Sequence, residues 1–286
     1  MSFEDMLNRA RSLVNENKIE MALQVYEELL RELQQQNDKK LLAEVALEVS
    51  TLLMNLENYD KATELSKLAA DIFKELNDNT DLANALYNLS ISLMNTGRAS
   101  DAVDYINQAT ELFKKSNDTQ AHADALYAQG LIYYEIEENE KALESLQQAV
   151  KIYKKQGNND ALVSIYQDIA SVLADLGNMT KARKFIKEAI TVADKIGDPS
   201  LIADIYTNSG ELEELNDNLK KACEDYIKAA ELYADANMYD AALEILDRAE
   251  SYLNDLPKAT AKRLRNKIWD MQEEYKKKAE SKKGAE

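Results

Sequence analysis

Apolar residues recur along this chain at helical spacing, in short stripes broken by polar residues. Leu82, Leu86, Leu89 and Leu93 form one stripe, Asn95-Thr96-Gly97 interrupts it, and Ala102, Ile106, Ala109, Leu112 and Phe113 form the next. Steps of three and four residues place such side chains on one face of an α-helix. The two-stripe pattern returns every 40 residues: Ala22, Ala62, Ala102, Ala142, Ala182 and Ala222 stand at that interval without a gap. Ala10, Ser50, Ser90, Gly130, Ala170 and Gly210 keep the same period, every one of them small. Two ladders of small residues in one register predict one helix pair stacked six times, because a small side chain is required where two helix backbones come close. Polar pairs join the units at Asn37-Asp38, Asn77-Asp78, Asn117-Asp118, Gly157-Asn158 and Gly197-Asp198. Gly and Asn accept the left-handed conformation at a helix C-terminus, and Asp or Asn caps the helix that follows. Pro199 suits the first turn of such a helix. The expected units are helices of about 17 and 18 residues with tight turns between them.

This pattern resembles the tetratricopeptide repeat. The residues that carry the resemblance are Gly130 and Gly210 of the small ladder, Ala22 with Tyr26, Ala222 with Tyr226 and Ala229, and Asn88-Leu89-Ser90. It covers residues 3–237. The period of 40 residues exceeds the common motif's 34 and is similar to the subgroup of polarity-complex adaptors and kinesin light chains, in which extended peptides lie along the inner groove. The resemblance implies an all-α, right-handed superhelical solenoid of about 14 antiparallel helices. It implies six helix pairs over residues 1–237 and C-terminal capping helices with a basic tail over 238–286. There Ala242 follows Ala222 by half a period, which predicts that the repeat breaks after the sixth unit. A single helix is expected over 238–254, and a basic helix after Leu256-Pro257 with Leu264, Ile268, Met271 and Tyr275 on one face. The stretch from Lys220 to Tyr252 also resembles the helical attachment proteins that recruit the membrane-fusion disassembly ATPase. Those end in an acidic, leucine-containing tail, whereas this sequence ends Lys282-Lys283-Gly284-Ala285-Glu286.

In the resembled family the first helix of each unit lines the concave wall. Its offsets here hold an apolar and aromatic floor: Leu47, Met54, Tyr87, Ile91, Met94, Tyr127, Leu131 and Tyr134. Asparagines accompany it at Asn8, Asn84, Asn88, Asn95 and Asn208, with Asn15 and Asn55 beside helix ends. An amide both donates and accepts, so such a row can hold a peptide backbone whatever its side chains. Asn15, Asn55 and Asn95 serve equally well as helix caps. Asn88 and Asn208 fall mid-helix, where asparagine has poor propensity, and a groove role is expected for them. Glu48, Asp124, Asp168, Glu211 and Glu214 add negative charge, and only Arg11 is basic among these offsets. This is either a solvated face or a groove for neutral-to-basic peptides, and the second is preferred. The tyrosines are read either as groove floor or as packing between helices. A clamp for acidic chaperone tails is not expected, because the Lys, Arg and Asn cluster that it needs is missing.

Composition sharpens the picture. The chain has 286 residues, 7 Gly and 2 Pro, which leaves little room for strands and hairpins. Its net charge is −17, but 10 Lys+Arg and 5 Asp+Glu lie beyond Pro257, so residues 1–257 carry −22. That field repels nucleic acid and anionic lipid and favours basic partners. No 18-residue apolar run or signal peptide is read, and a cytoplasmic location is expected. Cys223 is the only cysteine and is expected as a part-buried structural thiol. His122 lacks convergent partners for metal or base chemistry. Glu137-Glu138 and Glu213-Glu214 read as surface charge, and no phosphate loop or nucleophile motif is present. The sequence thus predicts no catalytic residues, no metal site and no cofactor. It predicts a monomeric, non-enzymatic adaptor that binds an extended segment of a protein partner. The alternatives are an attachment-type clamp on a coiled-coil complex for an ATPase, and a peptide-sensing regulatory subunit. The lysine-rich end is a solvated helix end, a contact for nucleic acid or membrane, or an autoinhibitory tail folding toward the acidic body.

Overall fold

A computed structural model describes residues 2–36 and 38–283, so Met1, Asn37 and the terminal Gly284-Ala285-Glu286 lie outside the described residues. The described residues form 14 α-helices and one 3-10 turn. In the first half of the chain these are α1 (Phe3–Asn15), α2 (Ile19–Gln36), α3 (Lys39–Asn55), α4 (Tyr59–Leu76), α5 (Asn79–Asn95), α6 (Ala99–Ser116), α7 (Thr119–Glu135) and α8 (Asn139–Gln156). In the second they are α9 (Asn159–Asp175), α10 (Met179–Ile196), α11 (Pro199–Leu215), α12 (Leu219–Asp235), α13 (Tyr239–Ser251), the turn Leu253–Asp255 and α14 (Lys258–Lys283). From α3 to α10 the lengths alternate 17 and 18 residues, as the sequence predicts. The chain divides into two compact units, Met1–Ile152 and Tyr153–Glu286.

Turn chemistry sets the helix boundaries. Asn77, Asn117 and Gly197 take φ of 57°, 60° and 80°, and the next residue caps the following helix. Asp118 accepts the Ala121 N–H at 3.0 Å and Asn158 that of Ala161 at 3.1 Å. Left-handed backbone also occurs inside each pair, at Asn17, Glu57, Gly97, Glu137, Gly177 and Asp217, and again at Asn237. From position 57 to 237 the chain therefore reverses once every 20 residues.

The helices stay in step beyond the sixth pair. α13 starts 40 residues after α11 and α14 starts 39 after α12, so the expected break after residue 237 lies in the alanine spacing and not in the helices. Ala261, 7% exposed, takes the alanine's place one residue early.

Within each pair the small ladder meets the second helix. All six ladder alanines from Ala22 to Ala222 are fully buried, as are Ala10, Ser50, Ser90 and Ala170. A Cβ on Gly130 would stand 2.5 Å from Leu146 Cδ2, and one on Gly210 would stand 2.6 Å from Tyr226 Cδ1. Neither neighbour is a flexible surface tip, since Leu146 and Tyr226 are both fully buried. Overpacking of this kind costs about 1–3 kcal/mol. Gly210→Ala is therefore expected to lower the urea midpoint, whereas a conservative change at half-buried Tyr206 on the same helix, Tyr206→Phe, should leave it nearly unchanged.

Candidate functional site

In the first unit the first helices of successive pairs touch each other, α3 with α5 and α5 with α7. Their shared wall carries Leu47, Met54, Tyr87, Ile91, Met94 and Leu131, all half-buried. Leu47, Met54, Tyr87, Ile91 and Met94 rest on the core but are not sealed by it. Tyr87 packs edge-on against Phe113 with ring centroids 6.4 Å apart. Burial pushes its hydroxyl up to about 12, and the charge of Asp124 adds to the shift. Tyr127 and Tyr134 on α7 are half-buried beside them, and so is Asn84 on α5. Asn8 on α1 and Asn95 at the end of α5 are exposed. The Asn95 amide donates to the Ile91 carbonyl at 2.9 Å, closing its own helix end.

Two residues expected to face a ligand are committed elsewhere. Asn88 is 8% exposed, and its Nδ2 donates to Thr51 Oγ1 at 2.8 Å and to Ser50 Oγ at 3.2 Å on α3. Glu48 on α3 accepts from Arg11 Nη2 of α1 at 2.7 Å and from the Tyr26 hydroxyl at 2.6 Å. Burial raises the Glu48 carboxyl, but these two hydrogen bonds outweigh it and hold the group below its ordinary value. Both contacts join neighbouring first helices across 37 residues. The second unit repeats the geometry with its charges exchanged. Arg248 of α13 donates to Glu211 of α11 at 2.6 Å and to Glu214 at 3.2 Å. Its guanidinium stands 5.0 Å from the centre of the Tyr226 ring, whose hydroxyl donates to Glu214 at 2.7 Å. A signal for the two ionic contacts was present in the sequence, as complementary charge at the 37-residue spacing, whereas the neutral Thr51–Asn88 contact left none. Removing a buried amide's bonds costs about 1–2 kcal/mol. Asn88→Ala is expected to lower the unfolding free energy measured by urea titration by that amount, while the exposed Asn8→Ala should not change it.

The remaining candidates lie in the second unit. Asp168 on α9 and Asn208 on α11 are half-buried. Asn208 Oδ1 is itself buried and has no hydrogen-bond partner. Cys223 is fully buried, its thiol donating to the Ala249 carbonyl at 3.3 Å and pushed up to about 11 by burial. That corrects the expected part-buried state.

Glu213 and Glu214 are not surface charge. Glu213 is 1% exposed and accepts from Arg183 Nη2 at 2.7 Å and from Asn218 at 2.8 Å, while Glu214 is half-buried. Beside it, buried Asp225 accepts from Ser209 at 2.9 Å and from Lys221 at 2.5 Å. Burial raises the Asp225 carboxyl above its ordinary value, and the Lys221 and Ser209 bonds only partly offset this. A carboxyl raised on folding favours the native state when protonated, so its contribution is lost as pH climbs past the ordinary carboxylate range. Asp225→Asn lacks that loss. Its urea midpoint relative to wild type is expected to rise between pH 4 and 7, not fall.

In the first unit His122 is half-buried, and burial lowers its ring below the ordinary value. Among the described residues no group of three or more His, Cys, Asp or Glu could hold a metal ion, and no helix is long and apolar enough to cross a membrane.

Comparison with known proteins bears on this fold. Tetratricopeptide-repeat family models match residues 41–115, 81–155 and 163–195, together just over half of the chain. No curated protein matches the sequence. Among solved structures, the apo form of RapI is 17% identical with a TM-score of 0.66, over 98% of this chain and 100% of its own. Aspartyl phosphate phosphatase F from Bacillus subtilis is 15% identical with a TM-score of 0.63, over 94% of this chain and 70% of its own. A putative kinesin light chain with TPR-like repeats from Podosopora anserina is 14% identical with a TM-score of 0.59, over 68% and 95%. At these identities the likeness shows the all-α fold. Matched over half its length, paired throughout and laddered with small residues, the chain belongs to the tetratricopeptide-repeat family, whose fold is a protein-interaction scaffold.

Proposed function

We propose that the chain is a non-enzymatic adaptor whose first unit holds an extended peptide segment along α3, α5 and α7. The observation that carries this reading is the row of half-buried apolar side chains from Leu47 through Ile91 to Leu131. Completing the burial of such side chains is worth about 1.5–3 kcal/mol each at most, and a ligand lying across the wall would collect part of it. Tyr127 and Tyr134 would border the same segment, and Asn8, Asn84 and Asn95 would meet its backbone. Exposed Glu44 and Glu135 would favour a neutral-to-basic peptide. Asn88 and Glu48 hold the wall in shape in this reading. Asp168 and Asn208 would offer similar polar positions on the first helices of the second unit. Residues 1–237 serve as the binding pairs and 238–286 as their cap. A Rap protein of similar fold, 14% identical with a TM-score of 0.57, has been solved complexed with competence and sporulation factor. That complex supports a peptide-sensing regulatory role as the second reading.

The test is selection from a phage-displayed library of random linear peptides. Wild type is expected to enrich sequences with an apolar residue flanked by Lys or Arg. Binding should fall about tenfold or more, the equivalent of 1.4 kcal/mol, in the Ile91→Asp/Leu131→Asp variant with its circular dichroism unchanged. Higher salt should weaken it further. Equal enrichment by both proteins, or none by wild type, would reject the wall as the binding site.

A further inference from the structure

The outer face of α14 carries the chain's single tryptophan, and Trp269 is 60% exposed. Its place in the repeat makes that exposure unusual. Trp269 is the twelfth residue of a second helix. The twelfth residues of earlier second helices are buried: Leu30, Ala70 and Thr110 in the first unit, Ala230 in the second, with Ile190 half-buried. The fifth residue shares this face, because seven residues bring a helix back to nearly the same side. In α12 the fifth residue is Cys223, whose thiol reaches the Ala249 carbonyl of α13, so α13 is what covers this face. In α14 the fifth residue is Lys262, and seven residues beyond Trp269 comes Lys276, both exposed. No described helix follows α14 to cover them.

The opposite edge of α14 is already spent. Arg263 pairs with Glu224 at 3.3 Å and Lys267 with Glu231 at 2.8 Å, both on α12. On the open edge Arg265 donates only to the Asn254 side-chain oxygen, at 3.2 Å. Glu273 and Glu280 are the acidic residues on this face, and Lys262, Arg265 and Lys276 outnumber them. A polar face is sufficient to end a repeat array. It does not require an exposed indole, whose aromatic area is of the kind that anchors interfaces.

We propose that this face of α14 docks an acidic amphipathic helix of a partner protein. An apolar residue of that helix would sit on Trp269, and its carboxylates would reach Lys262, Arg265 and Lys276. The helical form of the occupant follows from the array, where a helix covers the equivalent face of α12. Its acidic character follows from charge complementarity. This surface is separate from the wall of the first unit and does not depend on it.

A fitting probe is a synthetic, fluorophore-labelled peptide of residues 238–251, the helix that covers α12, which carries four acidic residues and one arginine. Titrated with full-length protein, it should show saturable polarisation. Titrated unlabelled, it should shift Trp269 emission to the blue. Both Trp269→Ala and Lys262→Glu/Lys276→Glu alter only exposed residues, and each is expected to weaken polarisation-detected binding about tenfold or more. No saturable binding to wild type would overturn the proposal, as would unchanged affinity in both variants. It would equally fall if a charge-reversed peptide bound as well. Two further outcomes would assign the face to another occupant. One is a blue shift that grows with protein concentration alone, together with dimers in sedimentation, which indicates a second copy. The other is a stronger shift with phosphatidylserine vesicles than with the peptide, which indicates an anionic membrane.

Discussion

Everything in this molecule depends on how closely two helices of a pair approach at one small residue. Gly130 lies against Leu146 and Gly210 against Tyr226, with no room for a single added carbon. That contact sets the distance between the two helices and places the large side chain of the second helix over the backbone of the first. It also explains why the ladder tolerates Ala, Ser and Gly but nothing larger. Where the second helix supplies Ser66 in place of a large side chain, opposite Ser50, its hydroxyl is left buried without a partner.

Once the pairs stack, their first helices come into contact, and polar residues at a 37-residue offset meet. Arg11 with Glu48, Thr51 with Asn88 and Glu211 with Arg248 are three versions of this contact. The charge exchange between the first and last of them shows that the position requires complementarity, not a particular sign. Tyr26 and Tyr226 brace the two ionic versions in the same way, each donating its hydroxyl to a carboxylate. These bonds consume polar groups that would otherwise be available to a ligand. What remains open in the first unit is mainly apolar, which shifts the proposed recognition from amides toward burial.

The uncovered face of α14 is the counterpart of this rule. Where α13 lies over α12 the residues are Cys223 and Ala230, both fully buried, whereas α14 presents exposed Lys262 and Trp269 at the equivalent positions. Its other edge is tied to α12 by Arg263 and Lys267. The acidic body and the basic helix are therefore joined by ion pairs along one edge of α14.

Local chemistry was legible in the sequence, because it acts over a few residues. The Asn-Asp and Gly-Asn turns, the caps at Asp118 and Asn158, the alternating helix lengths and the small ladders all followed from the period of 40 residues. Tyr87, Ile91 and Leu131, read as offsets on one helix face, are half-buried in the structure. The sequence by itself thus determined the helices, their pairing and their family. Only the tertiary structure decided the fate of the polar residues. Asn88 became a staple, Glu213 a buried partner of Arg183, and Asn208 a residue with an unmatched buried oxygen. The physical reason is one of range. A cap or turn is satisfied within four residues of chain, but whether a mid-helix amide or carboxylate meets solvent depends on a helix about one repeat away and on how closely the small ladder lets it approach.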